Sequence, residues 1–162
     1  MTAAFKKNVR VLVCILLCQL AGFLGAWLTV PALPVWYAGL QKPWFNPPNW
    51  IFGPVWTLLY AMMGVVLAIL WGLPASRLKT LGIRLFLIQL IFNAAWSGLF
   101  FGLRNPGWAL ADILILLSLL AVIAGVLRKI SWPAFFLWLP YTAWVAFAAV
   151  LNYYLWSLNS GR

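Results

Sequence analysis

This sequence predicts an all-α membrane protein: one bundle of five transmembrane helices, with a Pro/Trp-rich loop between the first two. Three observations carry the prediction. The 162 residues are 66% hydrophobic and 7% charged, with a mean hydropathy of +1.01, whereas a soluble domain carries roughly 25% charged residues. Five runs are long enough to cross a hydrocarbon core about 30 Å thick, which takes roughly 20 apolar residues. None of them alternates apolar and polar residues as a membrane β-strand does, and helices are the other way to satisfy backbone groups in lipid.

The first run, Val11–Val30, is uncharged and is followed by Pro31 and Pro34. Proline cannot continue a helix ladder, so the helix is expected to end there. Lys6, Lys7 and Arg10 precede this run as they would in a secretory signal, but it exceeds the roughly 7–15 residues of a signal core, so no cleavage is expected. The second run, Ile51–Leu73, is uncharged and closed by Gly72 and Pro74. The third, Leu85–Leu103, is also uncharged. The fourth, Asn105–Leu127, has Asp112 as its single charge and opens on Asn105-Pro106, a capping amide ahead of a proline at the first helical position. The fifth, Ala134–Ser157, is uncharged and opens on Ser131-Trp132-Pro133 in the same way. Pro54 and Pro140 fall near the starts of their spans, where a missing N–H costs little or bends the helix. The spans are thus placed at about 9–30, 51–73, 82–103, 106–127 and 134–157, within a single domain over 1–162.

A net charge of +10 could suggest nucleic acid, but a nucleic-acid face needs Lys and Arg clustered on one element. Here they stand in ones, twos and threes between apolar runs, as flanks of membrane spans do. No nucleic-acid partner is expected; the partner is membrane lipid. One side of the membrane would hold eight basic residues, Lys6, Lys7, Arg10, Arg77, Lys79, Arg84, Arg128 and Lys129. The other would hold three, Lys42, Arg104 and Arg162.

The segment Pro31–Trp50 interleaves Pro31, Pro34, Pro43, Pro47 and Pro48 with Trp36, Tyr37, Trp44, Phe45 and Trp50. Two readings are open: an interfacial belt that anchors the helices, or a stiff aromatic lid over a cavity. Polar residues inside spans are costly and often functional. Gln89, Asn93, Trp96 and Ser97 share one face of span three by their spacing; Trp56, Tyr60 and Met63 share one on span two, and Tyr141, Trp144, Ala148 and Asn152 one on span five. Such faces suit a pocket for a flat, largely apolar ligand, or they hold the bundle together by interhelical hydrogen bonds. Asp112 is the lone carboxyl, either a structural hydrogen-bond partner or a ligand or proton site. A single carboxylate cannot form an acid–base pair, and there is no histidine for a triad, zinc or haem ligation. Cys14 and Cys18 read as small buried hydrophobes, and no metal site is expected.

Several segments carry a resemblance. Trp36-Tyr37-Ala38-Gly39-Leu40-Gln41-Lys42-Pro43 is followed by Pro47-Pro48-Asn49-Trp50 and by Gly53-Pro54-Val55-Trp56-Thr57-Leu58-Leu59-Tyr60 with Met63-Gly64. Further along come Gln89 to Asn93 with Trp96, Phe100-Phe101-Gly102, Trp108-Ala109-Leu110-Ala111-Asp112, and Pro140-Tyr141 through Trp144 to Leu151-Asn152-Tyr153. Together they resemble the translocator protein family, also called the tryptophan-rich sensory protein or peripheral-type benzodiazepine receptor (TspO/MBR) family, over essentially the whole chain. Twelve tryptophans fit that name.

The resemblance implies a bacterial-type membrane receptor or sensor, usually a homodimer, that binds porphyrins and benzodiazepine-type drugs non-covalently. By residue it maps the ligand cavity onto Tyr37, Pro47, Trp50 and Trp56 near the lid and onto Gln89, Asn93, Trp144 and Ala148 from the helices. Trp56 and Trp144 also match positions associated with porphyrin breakdown in some members, which does not make this chain an enzyme. The family's vertebrate sterol motif needs a basic residue soon after Tyr153; the next is Arg162, too distant, so specific sterol binding is not expected. A carrier of the same ligands is the alternative function, although no inverted repeat of the kind carriers often show is visible. For self-association, span three offers Ala94, Gly98 and Gly102 at four-residue spacing, with Gly22 and Ala26 on span one as a competing row.

The eight-to-three distribution of basic residues places the N-terminus in the cytoplasm and the C-terminus outside. An alkaline phosphatase fused after Arg162 should therefore be active in a bacterial host. An inactive fusion there, with an active one in the Arg77–Lys79 connection, would invert the topology.

Overall fold

The computed structural model describes residues 2–160, which contain five long helices and no strand. They are α1 (Ala3–Thr29), α2 (Asn49–Gly72), α3 (Arg77–Ser97), α4 (Pro106–Ile130) and α5 (Trp132–Asn159). Each is long and apolar enough to cross a membrane, and the chain is an integral, multi-pass membrane protein. Arg162, counted above among the three basic residues of the C-terminal side, lies outside the described residues.

Short polar side chains start the helices. Asn105 Oδ1 accepts from Trp108 N at 3.1 Å at the head of α4, and Ser131 Oγ accepts from Ala134 N at 3.4 Å at the head of α5, as the sequence predicts. Ser76 does the same for α3, accepting from Lys79 N at 3.1 Å. This cap starts α3 five residues before the span placed at 82. Apolar content marks the lipid-buried stretch, whereas the cap marks the helix end, and Arg77, Lys79 and Arg84 ride the turns that follow it. Lys79 turns back to the end of α2, its Nζ donating to the carbonyls of Trp71 at 2.9 Å and Leu73 at 2.6 Å. A cation there satisfies carbonyls that the helix leaves open.

The first helix does not stop at its prolines. Beyond α1 the backbone runs through a 3-10 turn at Val30–Ala32 and a π turn at Leu33–Tyr37. Pro31 and Pro34 each fall at the start of a turn whose hydrogen-bond register has just changed. A missing N–H costs nothing there, and proline's fixed φ is already helical. The apolar span therefore reaches Tyr37. The connection shrinks to residues 38–48, and Trp36 and Tyr37 move from loop to helix. α3 is extended in the same way by a π turn at Gly98–Gly102.

The helices pack as a ring: α1 on α2, α2 on α5, α5 on α4, α4 on α3, and α3 back on α1. In the half nearest the N-terminus this ring is filled. Cys14, Met63, Leu70, Phe86, Leu120, Leu127 and Trp138 are all buried there. The tightest seam joins α1 to α2: a Cβ on Gly64 would lie 2.7 Å from the backbone nitrogen of Ile15. Without a hydrophobic drive between helices in lipid, such backbone approach is what dispersion needs.

Gly64→Leu should accordingly destabilise the detergent-solubilised protein by about 1–3 kcal/mol, the usual cost of overpacking. Gly125→Leu on α4 is the control, because nothing lies within 4 Å of its Cβ position. Equal thermal unfolding of the two variants would contradict the close α1–α2 seam.

Candidate functional site

The half of the bundle nearer the 38–48 connection is not filled. A cavity of about 610 Å³ lies between the helices, within the range of ligand sites. Its floor and walls are built residue by residue from the three polar and aromatic faces the sequence marks out, joined by one face it does not.

From α2 come Trp50, Trp56 and Tyr60, one turn or two apart; from α3, Asn93, Trp96 and Ser97; from α5, Trp144, Ala148 and Asn152. Tyr37, on the helical extension of α1, and Phe100, on that of α3, close the end under the connection. Six of the eight residues mapped as ligand-binding thus line one cavity: Tyr37, Trp50, Trp56, Asn93, Trp144 and Ala148. The other two do not. Pro47 sits in the connection, off the cavity wall, where Asn46 Nδ2 donates to its carbonyl at 3.0 Å. Gln89 is fully buried one helical turn deeper than Asn93, inside the packed half. Met63 and Tyr141 leave the cavity in the same way. Periodicity identifies the face of a helix, but not the depth at which a shared face passes from open space into packed core.

The missing wall is α1, which contributes Gln19, Gly22, Phe23, Gly25, Ala26 and Thr29. Gly22 and Ala26, read above as a possible contact row, face this cavity inside the monomer. Gly22 lies against the Tyr60 ring, and Gly25 sits where a Cβ would be 3.0 Å from Ser97 Oγ. The signal was present as a run of small residues, but small residues announce close approach without saying to which neighbour. Gln19 Nε2 donates to the Thr57 carbonyl at 2.9 Å and bridges α1 to α2 beside the cavity.

A buried relay of hydrogen bonds lies under the floor. The Tyr60 hydroxyl donates to Asn93 Oδ1. Asn93 Nδ2 donates to the Tyr141 hydroxyl oxygen at 2.9 Å, and the Tyr141 hydroxyl donates to Gln89 Oε1 at 2.8 Å. This ties α2, α3 and α5 together. A second tie runs from Trp96 Nε1 to Asn152 Oδ1 at 2.9 Å and from Asn152 Nδ2 to the Pro106 carbonyl at 2.8 Å, joining α3, α5 and α4. Asn93 and Asn152 thus line the cavity and bond between helices at once. Trp144 also lines the cavity, and its indole N–H is buried without a hydrogen-bond partner among the described residues.

Aromatic edges complete the upper end. Trp96 stacks on Phe100 with centroids 5.1 Å apart, and Trp36 meets Phe100 edge-on at 5.4 Å. The connection is held down over α5. Phe45 packs on Tyr154 at 5.3 Å and on Phe147 at 6.4 Å, Gln41 and Asn159 exchange two hydrogen bonds of 3.0 Å, and the Tyr37 hydroxyl donates to Asn46 Oδ1 at 2.8 Å. Trp44, 95% exposed, points away into the surroundings. The connection is thus held over the bundle end through Phe45 and Gln41, and Tyr37 on the helical extension of α1 ties to it at Asn46.

Asp112 is buried on α4 but off the cavity wall, and its Oδ2 has no hydrogen-bond partner among the described residues. Cys14 and Cys18 are buried free thiols. The small-residue row of α3 is partly open: a Cβ on Gly98 would touch Leu28 of α1 at 3.8 Å, whereas one on Gly102 would meet nothing within 4 Å.

Comparison with known proteins adds relatives to this geometry. A family model described as TspO/MBR family matches residues 14–157. The chain is 43% identical to the tryptophan-rich protein TspO of Archaeoglobus fulgidus over 157 residues, covering 94% of this chain and 99% of that one. It is 44% identical to the translocator protein of Bos taurus, covering 91% and 88% respectively. It is 32% identical to the tryptophan-rich sensory protein of Cereibacter sphaeroides, covering 78% of each.

Proposed function

The chain belongs to the TspO/MBR family, and on that premise we propose that it is a membrane receptor or sensor that binds porphyrins and similarly flat, apolar ligands, benzodiazepine-type drugs among them, in the cavity between its helices. The observation that carries this reading is the convergence of Trp56, Asn93 and Trp144, from three different helices, on one space of about 610 Å³. Two indoles offer stacking area, and Asn93 with the unpartnered Trp144 N–H offers polar contacts that fix orientation. A ligand burying ~400 Å² of apolar surface gains roughly 10 kcal/mol gross, and association costs remove several of those, which leaves useful affinity without an ion pair.

We read the protein as a binder rather than a catalyst. It has one carboxylate and no histidine, and the names of its relatives describe sensing and translocation. The word translocator in the Bos taurus relative's name favours a second reading, a carrier of the same ligands. The cell membrane, with the N-terminus in the cytoplasm, is the proposed location. A homodimer through Ala94, Gly98 and Gly102 belongs to the same proposal, supported by the open flank at Gly102.

Trp144→Phe and Trp56→Phe should each weaken protoporphyrin binding by about 1 kcal/mol through lost ring area and the lost N–H, and Asn93→Leu should weaken it as well, all read by fluorescence-quenching titration. Three variants that all bind like wild type would place the ligand elsewhere. Porphyrin flux across sealed vesicles bearing the protein would favour the carrier over the sensor. Gly102→Leu, which the monomer has room for, should shift the detergent-solubilised protein from dimer to monomer by light scattering. A variant that stays dimeric would rule this row out as the contact.

A further inference from the structure

Gln89 is fully buried, absent from the cavity wall, and yet it ends a hydrogen-bond relay that begins on that wall. The relay has a direction. Gln89 presents its oxygen to Tyr141, so the Tyr141 proton is committed to Gln89 and the Tyr141 oxygen is left to accept from Asn93 Nδ2. The Asn93 amide is thereby oriented with Oδ1 toward Tyr60, and the single Tyr60 proton is spent on it. A phenol has one proton and two lone pairs. With its proton committed, the Tyr60 hydroxyl offers the cavity a lone pair only.

We propose that Gln89 is a positioning residue that fixes, through Tyr141 and Asn93, the polarity of the Tyr60 hydroxyl, so that the cavity favours ligands donating a hydrogen bond at this point. The proposal rests on the cavity being the ligand site and adds the chemistry of one contact within it. Gln89 Nε2 is buried without a hydrogen-bond partner among the described residues. Turning the Gln89 amide over would reverse every bond beyond it. In the reversed order Tyr141 donates to Asn93, Asn93 donates to Tyr60, and the Tyr60 proton is released into the cavity. Removing the Gln89 oxygen should produce that reversal, because Tyr141 then has no acceptor except the Asn93 amide.

Three flat ring systems of nearly one shape test this: carbazole, which donates through N–H; fluorenone, which accepts through C=O; and fluorene, which does neither. Their affinities are to be measured by isothermal titration on the detergent-solubilised full chain. Wild type should bind carbazole more tightly than fluorene, and because the Trp144 N–H can serve the fluorenone carbonyl, fluorenone is read as a ratio to carbazole. In Gln89→Met the carbazole-to-fluorenone ratio should fall, carbazole losing and fluorenone gaining roughly fivefold each, the worth of one net hydrogen bond. Gln89→Glu, which keeps an oxygen toward Tyr141, should retain the wild-type ratio. Tyr60→Phe, which has no hydroxyl to orient, should bring carbazole to the level of fluorene and serves if Gln89→Met does not fold. Equal weakening of all three probes in Gln89→Met, or an unchanged carbazole-to-fluorenone ratio, would overturn the positioning role while leaving the cavity reading intact. A wild-type protein that binds none of the three would overturn the cavity reading, and the role of Gln89 with it.

Discussion

In hydrocarbon no water is available to a peptide group, so almost every N–H and C=O of a membrane chain has to find its partner within the protein. Most features of this molecule trace back to that demand. It makes the five spans helical. It also governs the ends, where a helix would ordinarily leave several groups open. Here the ends change register instead of fraying. Ala38 N bonds to Leu33 O at 3.1 Å and Leu103 N to Gly98 O at 2.8 Å, so α1 and α3 are prolonged by wider turns. Where the backbone does turn over, Arg104 takes a left-handed conformation with φ of 52°, and Asn105 N closes back on Leu99 O at 3.0 Å. Side chains supply the remainder, as Lys79 does at the end of α2.

Closure of the bundle and the existence of a cavity come from the same residues. Small side chains let α1 approach α2 at Gly64 and at Gly22, and α3 at Gly25. Deeper in the bundle the larger side chains of α2, α3, α4 and α5 fill the middle of the ring. Toward the 38–48 connection α1 supplies Gly22, Gly25 and Ala26, which contribute almost no volume, and the space they leave is walled by rings from α2, α3 and α5. Those rings stay put because they are braced edge-to-face by neighbours and by two hydrogen-bonded ties across three helices each. Hydrogen bonds are stronger in low dielectric than in water and hold the groups they join, and a rigid wall spares a ligand the cost of ordering it.

Much of this was legible in the sequence, and the parts that were share a cause. Span number and helical type follow from hydropathy, because the bilayer imposes one length and one backbone solution on any chain that crosses it. The caps at Asn105 and Ser131 were readable because they are local, made by atoms three residues apart. The cavity faces of α2, α3 and α5 were readable because helical periodicity places Trp56 with Tyr60, Asn93 with Trp96 and Trp144 with Ala148.

What the tertiary structure alone decided is whatever depends on where one helix stands relative to another. Sequence patterns put Gln89 and Asn93 on one stripe, but only the packed bundle separates a residue on the cavity wall from one a turn below it. Gly22 and Ala26 could have met lipid, a second copy or their own α2; the ring order of the helices chose the interior. Pro31 and Pro34 could have ended the first span, and a change of hydrogen-bond register carried it on to Tyr37. Local chemistry fixes what each segment is, because its interactions reach three or four residues along the chain. Depth, neighbour and register are set by contacts between residues such as Asn93 and Tyr141, 48 positions apart, that come together only when the whole bundle has formed.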